Sequence, residues 1–221
     1  MSKKKIVIIG AGDFGREVAY TIERINESLA LGDKWDIYGF IDDDIEIQGK
    51  IIDDYPVIGT IDWLNQHKEK IYAVCSLGTG AIRKKVIDKI QNNNVKFATI
   101  IDPEAKIFKE CDIGEGSIIC ANSILAINTK IGKHVVINLA CTLGHDDIVE
   151  DYCVINPGCN ISGKVRIGKS TDLGTGTKVI QGIKIGEHTT IGAGTVVIRE
   201  VPDNVVAVGV PANIVREKDR G

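Results

Sequence analysis

An aliphatic side chain recurs at every sixth position through the C-terminal part of the chain. An α-helix, with about 3.6 residues per turn, cannot keep such a period on one face. A fixed short period is typical of repeat proteins, in which each repeat packs on its neighbours. We therefore predict one strand and one bend per hexapeptide, with three hexapeptides closing a coil of about 18 residues. The series has no gap and comprises Ile101, Ile107, Ile113, Ile119, Leu125, Ile131, Ile137, Leu143, Val149, Ile155, Ile161, Ile167, Leu173, Val179, Ile185, Ile191 and Val197.

Two further positions of the hexapeptide are restricted, counting the aliphatic residue as the first. The second position is often glycine, at Gly114, Gly132, Gly144, Gly168, Gly174, Gly186 and Gly192. The fifth position is usually small, at Cys111, Ser117, Ser123, Thr129, Cys141, Cys153, Cys159, Thr171, Thr177, Thr189 and Thr195. The glycines predict the turns between strands. The aliphatic and small residues predict the inward side of stacked coils that share one core.

Strand and helix patterns alternate in the first hundred residues. Apolar runs predict strands at 5–9, 37–41, 71–75 and 96–101. An amphipathic helix ending near residue 26 follows the first strand, and a helix containing Arg83 follows the third. This alternation predicts a small parallel sheet, about half of a Rossmann fold. We therefore predict an α/β domain at 1–100 and a domain of hexapeptide coils at 101–221.

Composition and charge indicate the cellular compartment and argue against one class of binding partner. The net charge is −3 and the basic residues form no tract, so nucleic-acid binding has little support. The six cysteines contain no CxxC pair, and four of them occupy the small fifth position of the repeat. We interpret these four as packing residues in a reducing compartment. We predict a cytoplasmic protein that does not insert into a membrane.

A glycine-rich loop lies between the first predicted strand and helix. Residues 10–15 read GAGDFG, which has the GxGxxG spacing that holds phosphate at a helix N-terminus. Asp42 and Asp43 end the second strand and could hold the ribose of NAD. Four strands build only half of a dinucleotide site, so we favour a nucleotide-linked sugar. A glycine turn that binds nothing stays open as a third interpretation.

His145 is the histidine whose place in the repeat best suits catalysis. It is third in its hexapeptide, which predicts an outward position near a corner, and Gly163 lies one coil further on. Stacked strands lie about 4.8 Å apart, so we expect an open notch in which a thioester arm could approach the ring. An imidazole ordinarily titrates near neutral pH and suits a general base. A surface histidine without a catalytic role is the alternative.

His134 and His188 bear on a possible metal site. They are three coils apart on one edge, about 14 Å at the spacing of stacked strands. We predict no metal, because this distance is too long for one ion to bridge within a chain. A zinc site built between subunits, as in β-helical carbonic anhydrases, is a minor alternative. For the function of the whole protein, a nucleotide-sugar-binding or scaffold protein without catalytic activity is a further alternative.

Three segments of the chain resemble one protein family. They read GAGDFGREVA at 10–19, NLACTLGHD at 138–146 and VGVPA at 208–212. They are similar to motifs of the bacterial sugar acetyltransferases of the sialic-acid O-acetyltransferase type, which include nucleotide-4-amino-sugar N-acetyltransferases. The resemblance implies that the coils form a left-handed parallel β-helix, and that the protein is a homotrimer with active sites between subunits.

The resemblance also implies an activity. Acetyl-CoA would be the co-substrate, and its acetyl group would pass to the amine of a nucleotide-linked amino sugar, with a UDP-linked 4-amino sugar favoured. The product would enter glycan or surface-polysaccharide synthesis. O-acetylation of sialic acid or a similar sugar is the closest alternative. We expect direct transfer without a covalent intermediate, because no cysteine lies outward beside His145.

Roles for single residues follow from the same resemblance. His145 resembles the general base, Asp146 the carboxylate that orients it, and Asn138 a residue that positions the acceptor. Asp147 is the alternative to Asp146, because adjacent strand residues face opposite ways and only one of the two can flank the ring. The acetyl-CoA contacts of the family correspond to Val154, Gly163, Thr175 and Ala193. The nucleotide-sugar contacts correspond to Gly12, Asp13, Phe14, Asp42, Asp43 and Gly78. Phe14 stands where the family often has histidine in the first glycine loop, a difference that bears on the identity of the substrate. Val154 stands where some members have a second histidine, so a backbone N–H would have to stabilise the oxyanion.

Overall fold

The computed structural model describes residues 4–30 and 34–218, which form two compact units. The first unit holds the described residues up to Gly78 together with Ile82–Pro103. The second holds Thr79–Ala81 together with the described residues from Glu104 onward. The outer ends of the ranges 1–100 and 101–221 that the sequence predicts lie outside the described residues.

The first unit is built on a sheet in the order β3-β4-β2-β1-β5-β6, which is parallel except for the β3–β4 pair. Its strands are β1 (Lys4–Ile9), β2 (Trp35–Ile41), β3 (Ile51–Ile52), β4 (Tyr55–Gly59), β5 (Ile71–Cys75) and β6 (Val95–Phe97). The helices are α1 (Asp13–Ser28), α2 (Ile61–Gln66) and α3 (Gly80–Ile87), of which the first two residues are counted with the second unit, and there is a 3₁₀ turn at Ile45–Ile47. The buried residues of α1 are Gly15, Val18, Ala19 and Ile22, whose spacing places them on one face.

The sequence patterns missed the β3–β4 hairpin and α2. The hairpin strands are too short for a visible alternation of polar and apolar residues. Their turn is formed by Asp53 and Asp54, both with positive φ, where glycine or asparagine is the usual signal. The predicted strand at 96–101 also divides, into β6 and β7 (Ile100–Ile101).

In the second unit, almost every hexapeptide contributes one two-residue strand. Residues 18 apart pair in parallel register, as in the series Leu125, Leu143 and Ile161. These strands are β8 (Lys106–Ile107), β9 (Asp112–Ile113), β10 (Ile118–Ile119), β11 (Ile124–Leu125), β12 (Lys130–Ile131), β13 (Val136–Ile137), β14 (Thr142–Leu143), β15 (Ile148–Val149), β16 (Val154–Ile155), β17 (Asn160–Ile161), β18 (Arg166–Ile167), β19 (Asp172–Leu173), β20 (Lys178–Val179), β21 (Lys184–Ile185), β22 (Thr190–Ile191) and β23 (Val196–Val197).

The described strands of this unit line three sides of the coil. Their orders are β23-β20-β17-β14-β11-β8, β21-β18-β15-β12-β9 and β24-β22-β19-β16-β13-β10, and β24 (Val205–Val208) also pairs antiparallel with β25 (Asn213–Glu217). The predicted fold class is confirmed, because a Rossmann-like sheet precedes a long run of short parallel strands. This arrangement is consistent with a left-handed β-helix.

The inward side of the coil contains a polar ladder as well as an apolar core. The aliphatic residues are buried from Ile119 onward. At the fifth position, a hydroxyl or thiol donates to the carbonyl fifteen residues further on. Examples are Ser117 to Gly132 at 2.8 Å, Thr171 to Gly186 at 2.7 Å and Cys153 to Gly168 at 3.0 Å. The inward cysteines therefore make the same contact as serine and threonine.

The glycines of the second position do not make the turns, and this corrects the prediction from sequence. The left-handed residue is the fourth of each hexapeptide, and it is usually not glycine, as at Asn128 and Asp146 with φ of 59° and 62°. Glycine is needed at the second position because the next coil passes close by. A Cβ on Gly144, for instance, would lie 2.3 Å from the backbone nitrogen of Gly163.

Candidate active site

His145 lies at the corner that follows β14, beside a carboxylate. Its Nδ1 is 2.8 Å from Oδ2 of Asp146, and both side chains are about half exposed. The other carboxylate oxygen of Asp146 accepts a hydrogen bond of 2.7 Å from Nδ2 of Asn128. Because Asn128 is one coil before Asp146, stacking alone brings the two corner residues together. The result is a chain from amide to carboxylate to imidazole.

The electrostatics of this chain favour one tautomer of His145. The hydrogen bond from His145, followed by that from Asn128, holds the pKa of Asp146 below its ordinary value. Asp146 therefore stays ionised and accepts a proton-bearing Nδ1. The tautomer is inferred from this hydrogen-bond network. It leaves Nε2 of His145 free to accept a proton.

Gly163 lies directly against the imidazole. A Cβ on Gly163 would come within 2.6 Å of Nε2 of His145. The predicted open notch beside His145 is therefore wrong, because the ring itself occupies the space that a side chain at 163 would fill. Glycine at this position instead lets the imidazole lie flat on the next coil.

Asp147 faces the opposite way from Asp146. It is 1% exposed and occupies the inward fifth position. Oδ2 accepts a 2.7 Å hydrogen bond from the Gly144 N–H, and Oδ1 accepts one of 2.8 Å from the Val165 N–H. Burial is the main reason that the pKa of this carboxyl is raised to about 7. Asp146 is thus the carboxylate that contacts the histidine, and Asp147 belongs to the interior.

The other residues predicted for catalysis and acetyl-CoA binding are spread over the coil. Asn138 is half-buried, and its Oδ1 accepts from the Leu139 N–H at 2.7 Å. The Val154 side chain is buried and 3% exposed, so it is not available to a ligand. Thr175 and Ala193 are exposed and follow β19 and β22, on a different corner from His145. Of the acetyl-CoA set, the described chain brings only Gly163 to His145.

The glycine-rich loop of the first unit has a tight base and an open edge. Gly10 has a φ of 103°, and a Cβ on Gly15 would lie 2.0 Å from the Gly10 carbonyl oxygen. Gly12 and Gly78 differ, because a Cβ there would meet nothing within 4 Å. Gly12 precedes α1 without a side-chain cap, so N–H groups of the first turn are left for another acceptor.

The two strand-end aspartates support this loop. Asp42 accepts hydrogen bonds from the Ala11 N–H at 2.9 Å and the Asp44 N–H at 3.0 Å. Asp43 accepts one from the Ile61 N–H at 3.1 Å. Both aspartates and Gly10 also line a cavity of about 200 Å³, whose other walls are Ile9, Ile41, Ile61, Leu77 and Val86. Asp13 is exposed at the start of α1, and Phe14 is half-buried.

Two contacts of the His145 corner escaped the reading of the sequence. Asn128 was not singled out, although subtracting one coil from Asp146 would have found it. The inward contacts of Asp147 were also missed, although it is the charged residue among fifth positions that are otherwise uncharged between 111 and 195. The signal was the 18-residue stacking for Asn128 and the inward fifth position of the hexapeptide for Asp147.

Within the described residues, no group of three or more histidine, cysteine, aspartate or glutamate side chains is arranged to hold a metal ion. His134 is buried and stacks on Tyr152 with ring centroids 5.3 Å apart, whereas His188 is exposed. Within 4–30 and 34–218, no helix has both the length and the apolar character to cross a bilayer.

Comparisons with known proteins agree with the two-unit architecture. Residues 5–90 match the PglD N-terminal domain family. The acetyltransferase domain of PglB from Neisseria gonorrhoeae is 27% identical with a TM-score of 0.86, covering 96% of this chain and 100% of that one. WeeI from Acinetobacter baumannii is 28% identical with a TM-score of 0.85, covering 96% and 100%. PerB from Caulobacter crescentus, solved with CoA and GDP-perosamine, is 27% identical with a TM-score of 0.84, covering 97% and 99%.

Proposed function

We propose that this protein is an acetyl-CoA-dependent sugar N-acetyltransferase. Its acceptor is the amine of a nucleotide-linked amino sugar. Two similarities support the proposal: residues 5–90 match the PglD N-terminal domain family, and the whole chain is similar to sugar acetyltransferases. The observation that carries the proposal is the hydrogen-bonded chain from Asn128 through Asp146 to His145. The domain at 1–100 binds the acceptor, and the domain at 101–221 carries the catalytic residues.

His145 acts as the general base. The amine nitrogen of the sugar attacks the thioester carbon, and Nε2 of His145 takes a proton from that nitrogen. The carbonyl group then re-forms as the carbon–sulfur bond breaks, and the proton passes to the departing CoA thiolate. Asp146 stabilises the imidazolium that forms in between, because the carboxylate already accepts its Nδ1 proton. The acetyl group passes directly to the amine, without a covalent intermediate on the protein.

Acetyl-CoA binds between subunits of a homotrimer. His145 and Gly163 follow β14 and β17, whereas Thr175 and Ala193 follow strands of another sheet. A single ligand that contacts both sets is therefore best served by corners from two neighbouring chains. Asn138 follows β13, in the same sheet as the strands before Thr175 and Ala193, and would position the acceptor from that side. This arrangement places the side chain of Val154 outside the site.

The nucleotide sugar binds at the glycine-rich loop of the first unit. The exposed edge at Gly12 and Gly78 admits a phosphate to the first turn of α1, beside Asp13 and Phe14. The walls formed by Asp42 and Asp43 give hydrogen-bond acceptors to a base or ribose. A UDP-linked 4-amino sugar is the first candidate, in a cytoplasmic step that supplies glycan or surface-polysaccharide synthesis. The free cysteines suit that compartment.

The activity is tested by thiol release from acetyl-CoA with a panel of acceptors. The panel contains UDP-, dTDP- and GDP-linked 4-amino sugars and free sialic acid. We expect turnover with one of the nucleotide amino sugars, and the preferred nucleotide identifies the base. Turnover with sialic acid alone would instead indicate an O-acetyltransferase. Absence of thiol release with every acceptor would contradict the proposal.

The nucleotide site is tested by Gly12→Leu. Gly12 has a φ of −75°, which any residue can adopt, and a Cβ there would meet nothing within 4 Å. The variant should therefore fold normally while obstructing the loop. We expect the KM for the nucleotide sugar to rise by at least about tenfold, equivalent to about 1.4 kcal/mol of binding, with the KM for acetyl-CoA unchanged.

Gly12→Ala is the matched control, because a methyl group reaches less far into the space before the loop. It should raise the KM for the nucleotide sugar much less than leucine does. Asp42→Ala is a poorer choice, since Asp42 also holds the Ala11 and Asp44 N–H groups. If Gly12→Leu changed both KM values equally, the division into two binding sites would be wrong.

A further inference from the structure

One residue breaks the composition of the inward fifth position. Between 111 and 195 this position holds cysteine, serine, threonine, valine or isoleucine, and Asp147 is the exception. Its carboxylate is buried in the interior of the coil, where an ion is costly unless it is well hydrogen-bonded. Asp147 also directly follows the His145–Asp146 pair. A buried carboxylate destabilises the fold, so packing alone does not explain why an aspartate occupies this position.

The second observation is a break in the backbone hydrogen bonds between coils. Along the corner of His145, the second residue of a hexapeptide regularly donates its N–H to the carbonyl seventeen residues on, at 3.0–3.1 Å, as do Phe108, Ala126, Ser162 and Ile180. In the described structure the Gly144 N–H does not make the corresponding short bond to the Ile161 carbonyl, although Leu143 and Ile161 keep the parallel register of the ladder. Its N–H donates to Oδ2 of Asp147 instead. The break falls on the residue immediately before His145.

Asp147 thereby holds the corner from both sides. Oδ2 fixes Gly144 in its own coil, and Oδ1 fixes Val165 in the next. Between these two points the His145 ring lies against Gly163, and the His145 carbonyl accepts from the Lys164 N–H at 2.8 Å. Fifth-position hydroxyls accept the N–H of the next coil but donate to its carbonyl, as Ser117 does with Val135 and Gly132. Only a carboxylate can accept at both ends.

We infer that Asp147 is a positioning residue, which diverts the Gly144 N–H from the coil-to-coil ladder and so sets the backbone that aims His145 at the acceptor. The inference rests on the proposed function, in which His145 is the base. Asp147 itself touches no substrate, because its side chain faces the interior. With serine at 147, the hydroxyl would accept from Val165 and donate to the Ser162 carbonyl, and Gly144 would return to the Ile161 carbonyl.

The test compares Asp147→Ser and Asp147→Asn with Cys153→Ser. Cys153 is the next fifth-position residue, and its thiol donates to Gly168, so serine should be neutral there. We expect Asp147→Ser to lower kcat by about 10- to 100-fold, the order expected when a catalytic group is displaced by about 1 Å. KM for both substrates should stay within about threefold, since Asp147 itself touches neither substrate. Asparagine at this position keeps the shape of the side chain but accepts a hydrogen bond at one end only. The kcat of Asp147→Asn should therefore lie between those of the wild type and Asp147→Ser.

The NMR chemical shift of the Gly144 amide proton gives a readout that does not depend on activity. In Asp147→Ser this resonance should move upfield, because the Gly144 N–H exchanges a 2.7 Å bond to a carboxylate for a bond to a neutral carbonyl. Wild-type kcat in both Asp147 variants would overturn the inference while leaving the proposed function intact. If the wild-type protein released no thiol, the proposed function would fail. The Gly144 amide resonance would then decide alone, and an unchanged chemical shift in Asp147→Ser would overturn the inference.

Discussion

His145→Ala should lower kcat for acetyl transfer by about 10²–10⁴-fold, the usual contribution of a general base. The hydrogen bond to Asp146 places the carboxylate on Nδ1, so Nε2 is the atom that this substitution removes from the reaction. The ring is about half exposed, and its loss leaves no buried polar group unpaired. The free energy of unfolding should therefore change little. Thiol release at saturating substrate, together with a thermal melt, measures both quantities.

His188→Ala is the matched control for this substitution. His188 also lies at an exposed corner, with a φ of 54°, but no carboxylate contact is seen for it in the described chain. Its substitution should leave kcat unchanged. Asp146→Asn should give a smaller loss than His145→Ala, because the base is still present but poorly oriented. Retention of more than about a tenth of the wild-type kcat in His145→Ala would rule out the general-base assignment.

Asp147→Ser should make the stability of the protein less dependent on pH. Burial raises the pKa of Asp147 to about 7 in the folded protein, from 3.8 in the unfolded chain. His145 and Asp146 are the neighbouring groups whose charge acts on Asp147 from the outer side of the coil: His145 lowers the pKa of Asp147 and Asp146 raises it. The folded state therefore binds a proton more tightly than the unfolded state. The stabilisation from this proton is complete below pH 3.8 and is lost as the pH rises through 7.

The expected size follows from the same two values. Between pH 5 and pH 8, ionisation of Asp147 should remove about 2–3 kcal/mol from the free energy of unfolding. Urea denaturation at unit steps of pH measures this loss in the wild-type protein. In Asp147→Ser this contribution is absent, so the free energy of unfolding of the variant should rise relative to that of the wild type as the pH rises. Cys153→Ser should follow the wild-type curve, and parallel curves for all three proteins would show that Asp147 does not titrate in this range.

The fold could be predicted because a single period determined the packing. An unbroken series of aliphatic residues at every sixth position leaves the coil as the one arrangement that turns them all to the same inward side. The β3–β4 hairpin carried no such period, and its Asp53–Asp54 turn is an unusual choice for left-handed residues. The glycines were assigned to turns because sequence does not show how near the next coil passes. Close approach at Gly144 becomes visible only in three dimensions.

The candidate site was only partly accessible to the same reasoning. His145 and Asp146 stood out because a motif placed them together. The contact between Asn128 and Asp146 depends on the stacking of corners, and the inward direction of Asp147 depends on its place in the hexapeptide. Which corner a residue occupies could be counted from the sequence. Which corners would meet in the proposed homotrimer depends on an interface that the repeat does not encode.

The pairing of residues 18 apart also limits how the length of this chain can change during evolution. Loss or gain of one whole coil preserves every rung on either side of the junction. A change of six residues keeps each aliphatic side chain inward, yet it rotates the rest of the chain by one side of the coil. Such a change between Asn128 and Asp146 would leave the core intact and carry His145 to a different corner. Insertions of any other length must leave the coil as an outward loop, so length variants with activity should differ by whole coils or by loops at corners.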